Sequence, residues 1–166
     1  ASTFDQEGLT RIINDHSVES RPKLLAYRRL QSNKIPVESG ILLGVVVEVG
    51  LENGLDTLAV FKDYTARYIN SSEKMTIWEI EDTWFNQKTD ELFKYSEVIV
   101  GNIGPWDKDR LSPPQKGNVR LTFLVSDGIY FGEGSIEVIS NDKMGGAVFY
   151  LAAEILRYLV EKTLEK

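Results

Sequence analysis

The 166-residue sequence contains no cysteine and a single histidine, His16. The lack of cysteine excludes disulfide bonds, thiolate nucleophiles and zinc–sulfur sites. One histidine also excludes any site that needs two imidazole groups, so a carboxylate site for magnesium or calcium is the metal chemistry that remains. His16 stands alone between two predicted helices, and we interpret it as a surface or capping residue.

Long hydrophobic runs are also absent. The longest one, Ile41–Val47, is far shorter than the roughly 20 apolar residues that a membrane-spanning helix needs. The first residues are acidic and polar and do not form a signal-peptide pattern. We therefore expect no membrane contact and take the cytoplasm as the default location, although the chain starts at Ala1 and an upstream segment could have been removed.

Acidic residues outnumber basic ones. The sequence has 19 Lys and Arg residues and 25 Asp and Glu residues, so its net charge is −6. Affinity for nucleic acid comes largely from basic side chains that neutralise phosphates, so this balance predicts no nucleic-acid partner. The densest basic cluster, residues 21–29, is interpreted as the solvated face of a helix. We expect no cofactor.

What is present is the composition of an ordinary globular protein, with 42% hydrophobic and 27% charged residues. The length suits one domain with its own core, so residues 1–166 are assigned to a single domain. Residues 1–36 are predicted to hold two short helices. Thr3 and Gln6 fit a capping box for the first helix, and Ser20 fits the N-cap of the second. The first helix is expected to bury Phe4, Leu9, Ile12 and Ile13.

The main body, residues 41–166, begins where helical periodicity gives way to extended segments. Four strands joined by short turns, as in an antiparallel meander, are predicted over residues 41–47, 55–61, 64–69 and 75–80. A helix is expected from Asp82 or Thr83 to about Asn102. It is followed by strands over residues 119–125 and 129–139 and by a long helix over about residues 146–165.

This order of elements predicts an α+β fold with a mostly antiparallel sheet of about six strands. One strand order that fits places the last two strands beside the first meander, with helices covering both faces of the sheet. The order is loosely similar to the profilin, longin and roadblock group of small domains, from which it departs by an extra strand or helix. The resemblance rests on element order alone.

The glycine-rich segment from Gly128 to Gly146 holds two candidate sites. Asn141 and Gly145 stand at the predicted start of the last helix, where free N–H groups could bind an anion or a carboxylate. The alternative is a helix cap made by Asn141 or Asp142. We favour the cap, because a phosphate-binding loop pattern is missing and Asp142 would repel an anion.

The second candidate is Glu133, which lies between Gly132 and Gly134. The two glycines predict a bulge that could turn Glu133 into a pocket beside Tyr130, where it could serve as an acid, a base or a ligand. The alternative is an exposed edge strand whose charge discourages aggregation. We favour the edge strand.

The Pro-rich segment 104–117 is predicted to be a long loop, and it carries Trp106 and Arg110. Exposed Trp and Arg residues are typical of binding hot spots. Trp106 could equally anchor the loop in the core. The acidic corner from Glu79 to Asp82 could hold a metal, but we interpret Asp82 as a helix cap.

No group of residues suggests a catalytic centre, so we predict a non-enzymatic binding or protein-interaction module. The last helix supports this prediction, because it has two apolar stripes and therefore needs cover on two sides. The sheet can cover one stripe, and the N-terminal helices or a second subunit must cover the other. The stripes are Val148, Leu151, Ala152, Ile155 and Leu159, and Phe149, Ala153, Leu156 and Val160. The alternative is a small-molecule binder or enzyme with a pocket at Tyr130, Glu133 and the start of the last helix, closed by Arg110.

Overall fold

The structure is a computed structural model that describes residues 4–109 and 111–164. In this part of the chain the helices are α1 (Gln6–Asn14), α2 (Ser20–Ser32), α3 (Thr83–Val100), α4 (Ile136–Asn141) and α5 (Gly145–Leu164). The strands are β1 (Leu42–Leu51), β2 (Gly54–Phe61), β3 (Ala66–Ile69), β4 (Met75–Trp78), β5 (Asn118–Val125) and β6 (Gly128–Ser135). None of the described helices is both long enough and apolar enough to cross a membrane.

The six strands form one sheet in the order β4-β3-β2-β1-β5-β6, and every neighbouring pair is antiparallel. The predicted α+β class is therefore confirmed, as is the position of the last two strands beside the meander. The likeness to the profilin group is only loose. Because β1 and β5 lie in the middle of the sheet, their alternating side chains define its two faces.

One face, called the core face, carries the main hydrophobic core. Val45 and Val47 of β1 and Leu121 and Phe123 of β5 are buried there under α3 and α5. The first predicted stripe of the last helix is buried in this core along its whole length. Six strands and two long helices thus supply most of the buried residues of this core.

Asp82 connects the two core helices. Its side chain accepts a hydrogen bond from the Phe85 backbone N–H (2.8 Å), which confirms Asp82 as the cap of α3. It also accepts one from the Tyr158 hydroxyl of α5 (2.7 Å). The Trp84 ring stacks on Tyr158 at a centroid distance of 4.2 Å, so α3 begins at a fixed position along α5.

The N-terminal helices differ from the prediction at their caps. Thr3 lies outside the described residues, and the side chain of Asp5 accepts the Gly8 N–H (2.9 Å) at the start of α1. The apolar residues of α1 are half-buried rather than buried. Ser20 is the first residue of α2, and its N–H donates to Asp63 in the β2–β3 turn (2.9 Å). The cap therefore comes from a residue far away in sequence.

The predicted bulge at Gly132 and Gly134 is wrong. β6 pairs with β5 without interruption from Gly128 to Ser135, so both glycines lie in regular extended backbone. The predicted continuation to residue 139 is also wrong, because Ser135 starts α4 by accepting the Val138 N–H (3.1 Å). A serine that can cap a helix ends the strand earlier than its apolar pattern suggested.

Candidate functional site: a groove across the sheet

The sheet face opposite the core, called the groove face, presents its side chains in three rows that run across the strands. Strand register defines each row. The first row is Phe61, Gly44, Leu124 and Ile129. The second row is Ile77, Arg67, Ala59, Val46, Thr122 and Phe131. The third row is Met75, Ile69, Thr57, Glu48, Arg120 and Glu133.

A groove with a volume of about 1250 Å³ crosses this face over β2, β1, β5 and β6. Its floor includes Val46 and Thr122 of the second row. One wall is the C-terminal half of α2, and the other is the loop of residues 104–117. Helices lie on both faces of the sheet, but the cover on this face is incomplete, because Val46 is only half-buried in the groove.

The α2 wall is fixed to the sheet by Arg28. Its guanidinium donates to the carbonyls of Val125 (2.7 Å), Ser126 (3.2 Å) and Gly128 (2.9 Å) in the β5–β6 turn. Burial lowers the pKa of Arg28, and the nearby carboxylate of Asp127 partly opposes this effect. Arg28 is thus a structural tie and not the solvated residue that the basic cluster predicted.

The 104–117 loop is fixed at its first end by Trp106. The backbone N–H of Trp106 donates to the Ile129 carbonyl of edge strand β6 (2.7 Å). Its ring meets the Phe131 ring edge-on at a centroid distance of 4.9 Å, and Lys108 lies over the indole at 5.4 Å. The indole N–H donates to the Asp109 carbonyl (3.0 Å). Trp106 therefore closes one end of the groove.

The second end of this loop lies against β1 at Gly50. The Gly117 N–H donates to the Gly50 carbonyl (2.9 Å). A Cβ atom at Gly50 would lie only 2.0 Å from the Gln115 carbonyl oxygen and 2.7 Å from that of Pro114. Only glycine lets the loop backbone come this close to the strand.

Arg120 holds the middle of the loop. It is only 9% exposed, and its Nε donates to Glu133 Oε1 (2.7 Å) on the neighbouring strand. Nη1 lies 3.9 Å from Glu48 Oε1, and Nη2 donates to the Ser112 carbonyl of the loop. One guanidinium thus links two strands to the groove wall.

The arginines on the sheet and α2 side of the groove are therefore matched within the molecule, whereas the loop adds Asp107 and Lys108 to its lining. Arg28 is used by the β5–β6 turn, Arg120 by Glu133 and Glu48, and Arg67 by Glu79 (2.9 Å). A ligand that brings a buried charge would find few free partners here, and an unpaired buried charge is strongly unfavourable. The floor of the groove suits an uncharged, largely apolar surface.

The residues predicted to bind are divided between the two faces. Trp106 lines the groove, and Glu133 lies beside it as the partner of Arg120. Tyr130 points to the core face, where it is buried and donates to Asp127 Oδ2 (2.8 Å). This burial, together with the hydrogen bond to Asp127, raises the pKa of Tyr130 to about 12. Arg110 lies outside the described residues.

Asn141 and Gly145 belong to the α4–α5 junction, on the core side. The Asn141 side chain donates to the Glu137 carbonyl within α4 (2.8 Å). Asp142 accepts the N–H groups of Met144 (3.0 Å) and Gly145 (2.6 Å), so the start of α5 is capped internally. The structure does not bring these residues together with Glu133, and Tyr130 shares no pocket with it.

The sequence analysis did not predict a binding role for Arg28 and Gln31 of the α2 wall or for Arg120 of the floor. The Gln31 amide donates to the Asp127 carbonyl (2.8 Å), next to the bonds that Arg28 makes. One signal was available in the sequence, because Arg120 sits among strictly alternating apolar residues and a charge there must face away from the core. The partner strands of Arg120 could not be read from that pattern.

The acidic corner forms no metal site in the described part of the chain, where no three potential ligands lie close enough together to hold an ion. Asp82 is occupied as a cap and Glu79 as the partner of Arg67. Comparison of the chain with protein-family models, curated proteins and solved structures gave no match.

Proposed function

We propose that this chain is a binding module whose groove holds an apolar part of a protein partner. The observation that carries the proposal is a groove of about 1250 Å³ across the sheet, on whose floor Arg120 is already paired with Glu48 and Glu133. Such a site gains free energy by removing apolar surface from water, and it needs no ionic group from its ligand.

The size of the groove favours a macromolecular ligand. Small-molecule pockets typically have volumes of about 300–1,000 Å³, and this groove is larger. Beyond the groove the third row continues with Ile69 and Met75, and Met75 is 57% exposed. In the second row Arg67 separates Ala59 from Ile77, which is 56% exposed. Exposed apolar side chains beside a groove are typical of protein-interaction sites.

The groove also has the residues that carry binding energy at interfaces. Trp106 is held in place at one end and packs on Phe131, and rigid aromatic anchors are enriched among hot spots. The hydroxyl groups along the groove, such as Ser112 and Thr122, have no neighbouring histidine, because His16 is not part of its lining. This favours binding over acyl-transfer chemistry.

Photo-crosslinking from the groove tests this proposal. A benzophenone amino acid replaces Leu111, which is exposed on the groove wall, and in a matched protein it replaces Tyr150, which is 57% exposed on α5. After irradiation in extract of the source cells, the Leu111 protein is expected to give a discrete crosslinked product. The purified partner should then bind the wild-type protein, and its affinity for Thr122→Arg should be at least tenfold lower than its affinity for the wild type.

Crosslinks that form equally from both positions, or a purified partner that binds Thr122→Arg unchanged, would contradict the groove as the binding site. A folded Thr122→Arg protein is confirmed beforehand by an unchanged far-ultraviolet circular dichroism spectrum.

A small-molecule ligand is the second candidate function, favoured by the aromatic end of the groove at Trp106 and Phe131. A compound that binds only the folded protein must raise its melting temperature. A metabolite panel is expected to contain a compound whose shift disappears in Thr122→Arg. The same panel would reject this candidate if no compound shifted the wild-type protein.

Self-association is a further part of the proposal, through the second stripe of α5. Ala153 and Val160 of this stripe are exposed, and Phe149 and Leu156 are half-buried. The N-terminal helices do not supply the missing cover, because α2 lies on the groove face. A second copy would remove this apolar stripe from water.

A further inference from the structure

We propose that the outer edge of β6 adds an extended segment of a partner protein as a seventh strand. The segment is expected to carry a large apolar side chain opposite Gly132 and no acidic residue opposite Glu133. This site lies at the rim of the sheet and does not depend on what the groove binds. A second copy of the chain on the same edge is an outcome of the test below.

The first observation is a row of main-chain groups on β6 that point away from the sheet. The two-residue turn makes Val125 and Gly128 a hydrogen-bonded pair, so the even-numbered residues of β6 bond to β5 and the odd-numbered ones face outward. Within the described part of the chain, the outward N–H and C=O groups of Phe131 and Glu133 have no protein partner. Such a row is satisfied by water or by the backbone of an extended segment.

The second observation is that the chain itself already uses one position of this edge. The backbone N–H of Trp106 donates to the outward carbonyl of Ile129 (2.7 Å), as a residue of an added strand would. The loop then turns back on itself, since the Trp106 indole N–H donates to the Asp109 carbonyl (3.0 Å). Farther along β6, Gly132 and Glu133 are exposed, so the edge continues into solvent.

The third observation is that β6 has few of the features that protect a free edge. Natural edge strands are kept from pairing by shortness, by bulges, or by Lys and Pro residues. β6 is eight residues long, holds neither Lys nor Pro, and pairs with β5 without a bulge. Its one charged residue, Glu133, accepts a hydrogen bond from Arg120 Nε (2.7 Å). The opposite edge strand, β4, has only four residues, so β6 is the edge that suits strand addition.

The fourth observation is the open space on the core side of this edge. A Cβ atom at Gly132 would meet nothing within 4 Å. The Val138 side chain of α4 lies 3.3 Å from the Cβ position of Gly134 and is 63% exposed. A residue opposite Gly132 on an added strand projects to this same side, and a large side chain there also reaches diagonal neighbours. An aromatic or large aliphatic group would therefore cover both the bare strand and Val138.

The groove side of the edge adds a preference for charge. The Phe131 ring is already packed, with the Trp106 ring at 4.9 Å and the Arg120 guanidinium at 5.9 Å. The Glu133 side chain is still 31% exposed. Because like charges directly opposite each other destabilise a strand pair, the residue opposite Glu133 should be neutral or basic.

A peptide selection tests this proposal. A phage library of short random peptides is selected on the wild-type protein and depleted on Gly132→Lys, which places a charge in the open space without a clash. Synthetic peptides from the selection are expected to bind Glu133→Pro at least tenfold more weakly than the wild type. Proline removes the outward N–H of residue 133, which β5 does not use. The matched control Glu133→Gln keeps this N–H, and its affinity should stay within about threefold of the wild type.

Amide hydrogen exchange, followed by nuclear magnetic resonance, locates the bound peptide. In the free protein the outward amides of Phe131 and Glu133 should exchange faster than those of Tyr130 and Gly132, which bond to β5. Saturating peptide is expected to slow exchange at Phe131 and Glu133 at least tenfold, because both amides then donate to the added strand.

Peptides that bind Glu133→Pro as well as the wild type, or that leave exchange at Phe131 unchanged, would overturn the proposal, as would a selection that yields no edge-dependent peptide. Peptides that lose affinity for Thr122→Arg but not for Glu133→Pro would assign the binding to the groove and overturn the edge site. A wild-type dimer that Glu133→Pro converts to a monomer would replace the partner segment by a second copy. If Glu133→Pro does not fold, Phe131→Pro takes its place, with Phe131→Leu as its control.

Discussion

Arg120 is buried between Glu133 and Glu48 and also donates to the Ser112 carbonyl of the groove wall. Replacing it by Met removes these bonds and leaves two half-buried carboxylates unpaired. We expect Arg120→Met to lower the free energy of unfolding by about 2–3 kcal/mol. Urea denaturation measures this loss, and hydrogen exchange should show faster exchange in the 104–117 loop.

The matched control is Lys116→Met, because the ion pair of Lys116 with Glu52 (3.5 Å) is well exposed. Exposed pairs contribute little, so a change within about 0.5 kcal/mol is expected. Equal losses in the two variants would mean that Arg120 is no more important than a surface lysine, which is contrary to its place in the groove.

Tyr130 predicts how stability responds to alkaline pH. Burial, followed by the hydrogen bond to Asp127, raises its pKa from 10.0 to about 12. The folded protein therefore keeps this proton at pH values where the unfolded chain has lost it. The stabilisation is complete below pH 10 and is lost as the pH rises through about 12.

We expect Tyr130→Phe to make the unfolding free energy fall less steeply over this alkaline interval than in the wild type. Urea midpoints at several pH values above neutrality measure the two slopes. Burial also raises the pKa values of Tyr27 and Tyr68, so part of the wild-type slope should persist in the variant. Identical slopes would show that Tyr130 titrates like a solvated tyrosine.

At the scale of elements, two glycines in strands differ in their surroundings. The backbone of the 104–117 loop lies close to Gly50, whereas Gly132 is open to solvent. At Gly50 a Cβ atom would overlap the loop backbone, whereas at Gly132 it would meet nothing within 4 Å. We expect Gly50→Ala to lower the unfolding free energy by about 1–3 kcal/mol. Gly132→Ala should be neutral or stabilise by about 0.5 kcal/mol, because alanine suits a regular strand better.

Thermal and urea denaturation of the two variants provide this comparison. Strong destabilisation by Gly132→Ala would support the bulge predicted from the sequence, and it would contradict the regular β5–β6 pairing. A harmless Gly50→Ala substitution would mean that the loop can leave β1 without loss.

Most elements could be predicted from the sequence, because their signals are local. The apolar runs of β1 and β5, the Asp82 cap and the first stripe of α5 depend on neighbouring residues only. The N-cap of α2 could not be predicted, because its acceptor is Asp63, 43 positions away. The predicted sixth strand is too long at its C-terminal end, because the apolar pattern at residues 136–139 fits both a strand and a short helix.

At the scale of the whole molecule, the candidate site was less predictable than the fold. Trp106 and Glu133 were identified by unusual composition, and they lie at the groove. The walls could not be foreseen, because they depend on where α2 and the 104–117 loop pack on the sheet, through contacts between residues far apart in sequence. Tyr130 was grouped with Glu133 through proximity in sequence, but residues an odd number of positions apart face opposite sides of a strand.

The second stripe of α5 predicts the behaviour of the molecule in solution. If a second copy covers it, sedimentation at micromolar concentration should show a mass that rises with concentration. Ala153→Glu places a charge in the middle of the stripe and is expected to give a monomer, while the exposed substitution Lys143→Glu should not. A wild-type protein that stays monomeric throughout would reject self-association and leave the groove proposal untouched.

The most direct test of the groove is an amide chemical-shift map of the ¹⁵N-labelled protein, titrated with the purified partner that the Leu111 crosslink identifies. We predict the largest shifts in residues 44–48, 120–124 and 129–131 and along the wall at residues 106–113. Shifts centred on α3 and α5, with the groove residues unchanged, would contradict the groove as the binding site.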